Sequence, residues 1–137
     1  MVSVFFLLSC TSNINVEDDK KAIVAALNKS AEDWSTGNIE AYMEVYWKSV
    51  KLQFIGADGI TYGWQTTLDN YKKRYPTKDY TGKLIFEVLN VNFLAKDVYS
   101  LIGKYFLERK VGLASGIFTL IFKKIDNKWT IISDHTQ

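Results

Sequence analysis

A chain of 137 residues that is 47% hydrophobic and 15% aromatic supports one domain with a sizeable core. Its formal charge of +2 is too small to mark nucleic acid or an anionic membrane surface as a partner. One proline, eight glycines and one cysteine leave no low-complexity linker and no internal disulfide.

The first fifteen residues read as a signal remnant and tether, apart from the domain at 16–137. Residues 1–10 are an apolar run ending in Leu-Leu-Ser-Cys, followed by polar Thr11 and Ser12. This resembles the end of a bacterial lipoprotein signal, which implies a lipid on Cys10 and a domain anchored in the bacterial cell envelope, periplasmic or surface-facing. No Lys or Arg precedes the apolar core, and without a signal the reading becomes a cytoplasmic protein with an incidental cysteine. A spanning helix needs about 20 apolar residues, so membrane contact is expected only through the lipid.

From residue 16 to 36, Ile23, Ala26, Leu27, Ser30 and Trp34 recur at helical spacing, and Glu17, Asp18 and Asp19 complement the dipole of the first turn. Gly37 and Asn38 end this helix and cap a second at 39–47, with Ile39, Tyr42, Met43 and Tyr46 on one side. Strands at 50–55 and 60–62 flank the turn chemistry of Gly56-Ala57-Asp58-Gly59. A third helix follows Gly63, with Trp64, Leu68, Tyr71 and Tyr75 in a stripe, basic Lys72, Lys73 and Arg74 in its last turn, and Pro76 as its stop.

The remainder reads as strand. Long extended runs at 83–94 and 98–110 are joined by Ala95-Lys96-Asp97, and residues 111–115 lead to a hairpin of two strands about Asp126 and Asn127. That turn sets Lys124 opposite Trp129, Phe122 opposite Ile131 and Phe118 opposite His135. One hairpin face then carries Phe118, Leu120, Phe122, Trp129 and Ile131, and the other Ile117, Ile121, Ile125 and Ile132. Two apolar faces call for two covers, helices on one side and a second copy of the chain on the other. The fold expected is α+β, a cone-shaped barrel in which three N-terminal helices cover a strongly curved antiparallel sheet, with Gly103 and Gly116 permitting the bend.

These residues carry a resemblance. Ala41-Tyr-Met-Glu-Val-Tyr-Trp47, Phe54-Ile-Gly-Ala-Asp-Gly59, Tyr62-Gly-Trp64, Tyr105-Phe-Leu-Glu-Arg109, Gly116-Ile-Phe-Thr-Leu120 and Trp129-Thr-Ile-Ile-Ser-Asp-His-Thr136 are similar to the SnoaL-like, nuclear transport factor 2-like superfamily. The closer likeness is to its bacterial branch, related to the association domain of calmodulin-dependent kinase. The resemblance implies a homodimer through the sheet and a pocket between sheet and helices. Isomerases, dehydratases, polyketide cyclases and non-catalytic assembly modules share the scaffold, so it does not fix an activity.

His135, at a strand end near the expected cavity rim, is the first catalytic candidate, because it titrates near neutrality without help; the alternative is a histidine bonded at the end of the sheet. Arg109 shares odd-numbered positions with Tyr105 and Leu107 and could clamp a carboxylate or enolate, or be a surface arginine. Asp134 could act as a base, as carboxylates do in isomerase and cyclase relatives. Alternation turns it away from His135, so Ser133-Asp134-His135 is not a triad. Tyr46, Trp47, Phe54, Trp64, Tyr71, Tyr105 and Phe118 are candidates to line a ligand site, and are otherwise core.

One His and one Cys, far apart, offer no zinc site; the acids lack calcium-loop spacing, and no Gly-rich phosphate loop opens a helix, so no metal or cofactor is implied. The preferred reading is an envelope-tethered, dimeric module that binds a small molecule. An acid-base enzyme acting on a carbonyl-bearing ligand is the alternative, and a purely structural association module, its cavity plugged by Phe118, Trp34 and Tyr46, is the second.

Overall fold

Helix α1 (Val16–Ser35) begins on Asn15, whose side chain accepts the backbone N–H of Asp18 at 3.2 Å and satisfies one orphan donor of the first turn. Its buried stripe is Ile23, Leu27, Ser30, Ala31 and Trp34, the side that the apolar spacing selects. The structure, a computed structural model, describes residues 13–137. Cys10 and the signal-like run lie outside the described residues.

Asn38 caps α2 (Ile39–Tyr42) by accepting the Ala41 N–H at 3.0 Å. The helix expected to reach Trp47 instead tightens into a 3-10 turn at Met43–Val45 and stops. The reason is a competing partner: Tyr46 bridges Ile131, and the Trp47 N–H donates to the Ile131 carbonyl at 2.9 Å, so the sheet takes the backbone that the helix would have used. Helix α3 (Trp64–Arg74) follows Gly63 as expected. A further short helix, α4 (Lys78–Thr81), falls in a stretch without apolar periodicity. The Trp34 indole holds it, donating to the Thr81 carbonyl at 2.8 Å.

The strands are β1 (Gln53–Gly56), β2 (Gly59–Tyr62), β3 (Lys83–Ala95), β4 (Val98–Glu108), β5 (Ala114–Ile125) and β6 (Lys128–Thr136). They form one curved, unclosed six-stranded sheet in the order β2-β1-β6-β5-β4-β3, with the helices on one side. This is the expected α+β cone, with one departure. Strand β1 lies parallel to β6, because the β1–β2 hairpin docks on the β6 edge left open by the β5–β6 hairpin, and everything from β2 to β5 serves as the long connection a parallel pair needs.

The inner face carries Tyr99, Leu101 and Leu107 of β4, Phe118, Leu120 and Phe122 of β5, and Trp129 and Ile131 of β6, all buried against α1 and the 3-10 turn. Asp126 and Asn127 form the turn of the last hairpin with φ of 48° and 63°, the left-handed pair that matches strand twist. Lys124 faces Trp129 and Phe122 faces Ile131, as the turn dictates.

Beyond Ile131 the register shifts. Ile121 pairs with Ser133, leaving Ile132 without a partner on β5, so Phe118 faces Thr136 and His135 faces Thr119. The expected pairing of Phe118 with His135 is therefore corrected. A one-residue bulge reverses the facing of every later side chain in the strand. Similar shifts in β3 follow Val88 and Phe93, and the extra residues there, Leu89 and Leu94, are exposed.

Gly103 of β4 is pressed from both sides. A methyl group there would stand 2.5 Å from the Phe118 ring and 2.9 Å from the Glu87 carbonyl oxygen. Gly103→Ala should cost about 1–3 kcal/mol of stability by overpacking. The check is the midpoint of urea unfolding, with an unchanged midpoint counting against close contact of Phe118 with the sheet.

Candidate functional site

A cavity of about 180 Å³ opens between the helices and the inner face of the sheet. Its wall is aromatic. Trp34 stands at the centre, with edge-to-face contacts to Tyr42, Tyr71 and Tyr75 at centroid distances of 4.9, 5.5 and 4.7 Å. Phe86 and Phe118 meet at 5.2 Å on the sheet side, and Phe54 meets Tyr71 at 5.7 Å. Edge-to-face rings lock one another in place, so the cavity has a fixed shape.

Asp134 gives the cavity its polar side. The bulge at Ile132 turns it inward, where it pairs with Leu120 of β5 and Phe54 of β1 and is 3% exposed. Tyr46 donates its hydroxyl proton to Asp134 Oδ2 at 2.7 Å, and Thr136 donates to Oδ1 at 2.6 Å. Because Tyr46 has one proton and gives it to the carboxylate, Tyr42, 3.0 Å away, donates to Tyr46 in turn. The chain Tyr42, Tyr46, Asp134, Thr136 is thus an ordered relay of hydroxyls ending on a carboxyl.

Burial pushes the Asp134 carboxyl up to about 6, against the opposite pull of Thr136, Tyr46 and the neighbouring His135. Burial and then the negative charge of Asp134 hold the Tyr46 hydroxyl well above the usual phenol range. Near neutral pH the site therefore pairs a carboxyl close to its titration point with phenols that stay protonated.

Tyr46, Phe54, Tyr71, Tyr105, Phe118 and Asp134 of the sequence candidates line the cavity. His135, Arg109, Trp47 and Trp64 do not. His135 is exposed on the outer face, with its ring 3.3 Å from the Gln137 amide. Arg109 lies past the end of β4, where its Nε donates to the Gly112 carbonyl at 3.0 Å. Trp64 donates to the Met43 carbonyl at 2.8 Å, and Trp47 is half-buried against the core. Tyr42, which the helix stripe sets on the side of Tyr46, also lines the cavity, as do Thr136 and Arg74, which the strand and helix patterns do not mark for the site. By its position in the sequence Arg74 belongs to a basic helix end. Both faces of the hairpin are apolar, so the adjacent Ile131 and Ile132 do not mark the bulge, and no signal in the strand pattern points to Asp134 and Thr136.

The raised Asp134 carboxyl links stability to pH. The folded state holds that proton more tightly than the unfolded chain, so the contribution is full below pH 4 and is lost as pH rises to about 6 and beyond. A shift from 3.8 to about 6 amounts to roughly 3 kcal/mol. Asp134→Asn should lack this dependence: the stability of the natural chain minus that of the variant should fall by about that amount between pH 4 and pH 8. Urea unfolding at both pH values measures it, and a pH-independent difference would place the carboxyl in water.

No protein-family model and no curated protein matches the chain. Among solved structures, an NTF-2 like protein of unknown function from Shewanella oneidensis MR-1 superposes with a TM-score of 0.83 at 35% identity, over 86% of this chain and 98% of that one. A putative calcium/calmodulin dependent protein kinase II association domain from Xanthomonas campestris gives 0.67 at 14% identity, over 99% and 96%. A ketosteroid isomerase-like protein from Erwinia carotovora atroseptica SCRI1043 gives 0.66 at 14%, over 85% and 92%. The last two share the fold alone. With the cone-shaped sheet, its helical cover and 35% identity across nearly the whole of the Shewanella protein, the chain belongs to the NTF2-like family.

Proposed function

We propose that the cavity binds a small, largely apolar ring compound, a polar group of which bonds at the Asp134 end. The observation that carries this reading is the distribution of chemistry within the cavity: aromatic walls with the carboxyl and its hydroxyl partners gathered at one place. The size supports it too. An apolar cavity of about 150 Å³ accommodates benzene, so about 180 Å³ suits one substituted ring.

A second reading, proton transfer on a carbonyl-bearing ligand, is favoured by the Asp134 and Tyr46 pair. A carboxyl pushed to about 6 can take or return a proton near neutrality, and a phenol kept protonated can donate to a developing oxyanion. Of the candidates for proton transfer, Asp134 lines the cavity and His135 does not; for the oxyanion, the tyrosine Tyr46 lines it and Arg109 does not.

The finer parts of the reading are a dimer and a tether. Support for a second copy on the outer face comes from exposed Ile85, Phe106 and Ile117, which flank the cross-strand neighbours Glu87 and Lys104 and make a patch able to pair with itself. Support for an envelope tether is the Leu-Leu-Ser-Cys run ending at Cys10. In cells, Cys10→Ser should move the full chain from the detergent phase to the aqueous phase. By light scattering, Ile117→Lys should halve the particle mass. A chain that is aqueous before substitution removes the tether, and a monomeric one removes the dimer.

Calorimetric titration with 4-methylphenol tests the site. The natural chain should bind it, and Tyr46→Phe should weaken binding about fivefold, since one hydrogen bond in the relay contributes ~1 kcal/mol. No binding by the natural chain, of this probe or of a ring that also carries an acid group, would sink the small-molecule reading. Exchange of solvent deuterium into an aryl ketone, fast with the natural chain and lost in Asp134→Asn, would select the enzyme over the binding module.

A further inference from the structure

Among the described residues, the one cation in the cavity lining is Arg74, the last residue of α3. It follows Tyr71 by three positions and therefore sits on the same helix face as that wall residue. It also lines an adjoining recess of about 80 Å³ beneath the β1–β2 turn, together with Phe54, Gly56, Ala57 and Asp58. Cavity and recess thus share Arg74, and both are also lined by Gly56 and Ala57.

Arg74 Nη2 donates to Asp58 Oδ2 at 2.6 Å. The two side chains are 60% and 84% exposed, so water screens the pair and exchanging one carboxylate for another costs little. A guanidinium is built to take a carboxylate through two parallel N–H bonds, whereas Asp58 engages it through one nitrogen. The inner part of the cavity has the reverse chemistry. Asp134 there repels an anion when ionised, and it still has lone pairs to accept from a ligand hydroxyl, since Tyr46 and Thr136 occupy only two of them. A ligand with an acid at one end and a hydroxyl at the other can enter in one orientation only.

We propose that Arg74 anchors a carboxylate borne by the cavity's ligand, taking it in place of Asp58, and that the site selects hydroxyaryl carboxylates. The proposal rests on the binding reading above and adds to it the ligand class and the residue that selects it. Asp58 is the resident stand-in: it keeps the guanidinium at the mouth and ties the β1–β2 turn to the end of α3 until the ligand's acid group arrives.

The test compares two probes on the full chain at pH 7 by calorimetric titration, 4-hydroxyphenylacetate and the neutral 4-methylphenol. The acid should bind at least tenfold more tightly. Arg74→Met should abolish that advantage by weakening the acid at least tenfold more than 4-methylphenol, while Asp58→Asn, by removing the competing carboxylate, should tighten the acid alone. Equal affinity of the natural chain for the two probes overturns the carboxylate assignment and leaves the cavity a site for neutral ligands. Equal weakening of both probes in Arg74→Met marks the arginine as a structural tie and overturns it as well. An acid affinity unmoved by Asp58→Asn overturns the exchange with Asp58. Failure of both probes to bind the natural chain sinks the binding reading itself, and this inference with it.

Discussion

Every side chain between Ser133 and Thr136 takes its direction from Ile132, which the ladder with β5 leaves without a partner. In an unbroken hairpin the pleat would send His135 inward beside Phe118 and Asp134 outward to water. One extra residue reverses the pair, because side chains alternate with a period of two and an inserted residue shifts the phase of all that follow. The result is a carboxylate inside the fold and an imidazole outside it, and the chemistry open to the cavity changes accordingly.

A buried carboxyl is costly unless its lone pairs are met, and the neighbouring elements are arranged to meet them. Tyr46 reaches Asp134 only because the chain leaves the 3-10 turn early and bridges to Ile131, three positions before the carboxyl on β6. Thr136 reaches it because the same bulge turns both residues inward. Tyr42 completes the relay from α2, and Trp34, locked by its bond to the Thr81 carbonyl, packs against Tyr42 from α1. The network couples the consecutive α1, α2 and 3-10 turn to β6 at the far end of the chain, so disturbing the bulge disturbs the helical cover as well.

Within the NTF2-like family one cone-shaped scaffold carries different uses, and the use is decided by what the cavity holds. Here it holds one raised carboxyl, protonated phenols and a rim arginine on an exposed ion pair. The arrangement has a direction, with an acceptor inside, rings between and a cation at the mouth. That direction is what a structural module with a plugged interior would lack. The outer face of the sheet is of mixed character, with exposed Ile85, Phe106 and Ile117 set among Glu87, Lys104 and Thr119. It is less uniformly apolar than the last hairpin alone, because β3 and β4 contribute polar residues at alternate positions.

Local patterns in the sequence determined the elements. The stripe of Ile23, Leu27 and Trp34 settled the first helix, the cap at Asn38 settled the start of the second, and Trp64, Leu68 and Tyr71 settled the third. The Asp126-Asn127 turn settled the last hairpin and its first pairings, because each of these rests on contacts between near neighbours in the chain. The α+β cone followed from their order, as did most of the aromatic lining, including Tyr46, Phe54, Tyr71, Tyr105 and Phe118. The inward facing of Asp134, the outward facing of His135 and the placement of Arg74 at the cavity mouth were decided by tertiary structure alone. A bulge depends on what flanks a strand on both sides, β5 and β1 here, and a helix-end arginine becomes a rim residue only when the preceding hairpin folds back to meet it. Neither condition is written in the spacing of residues along the chain.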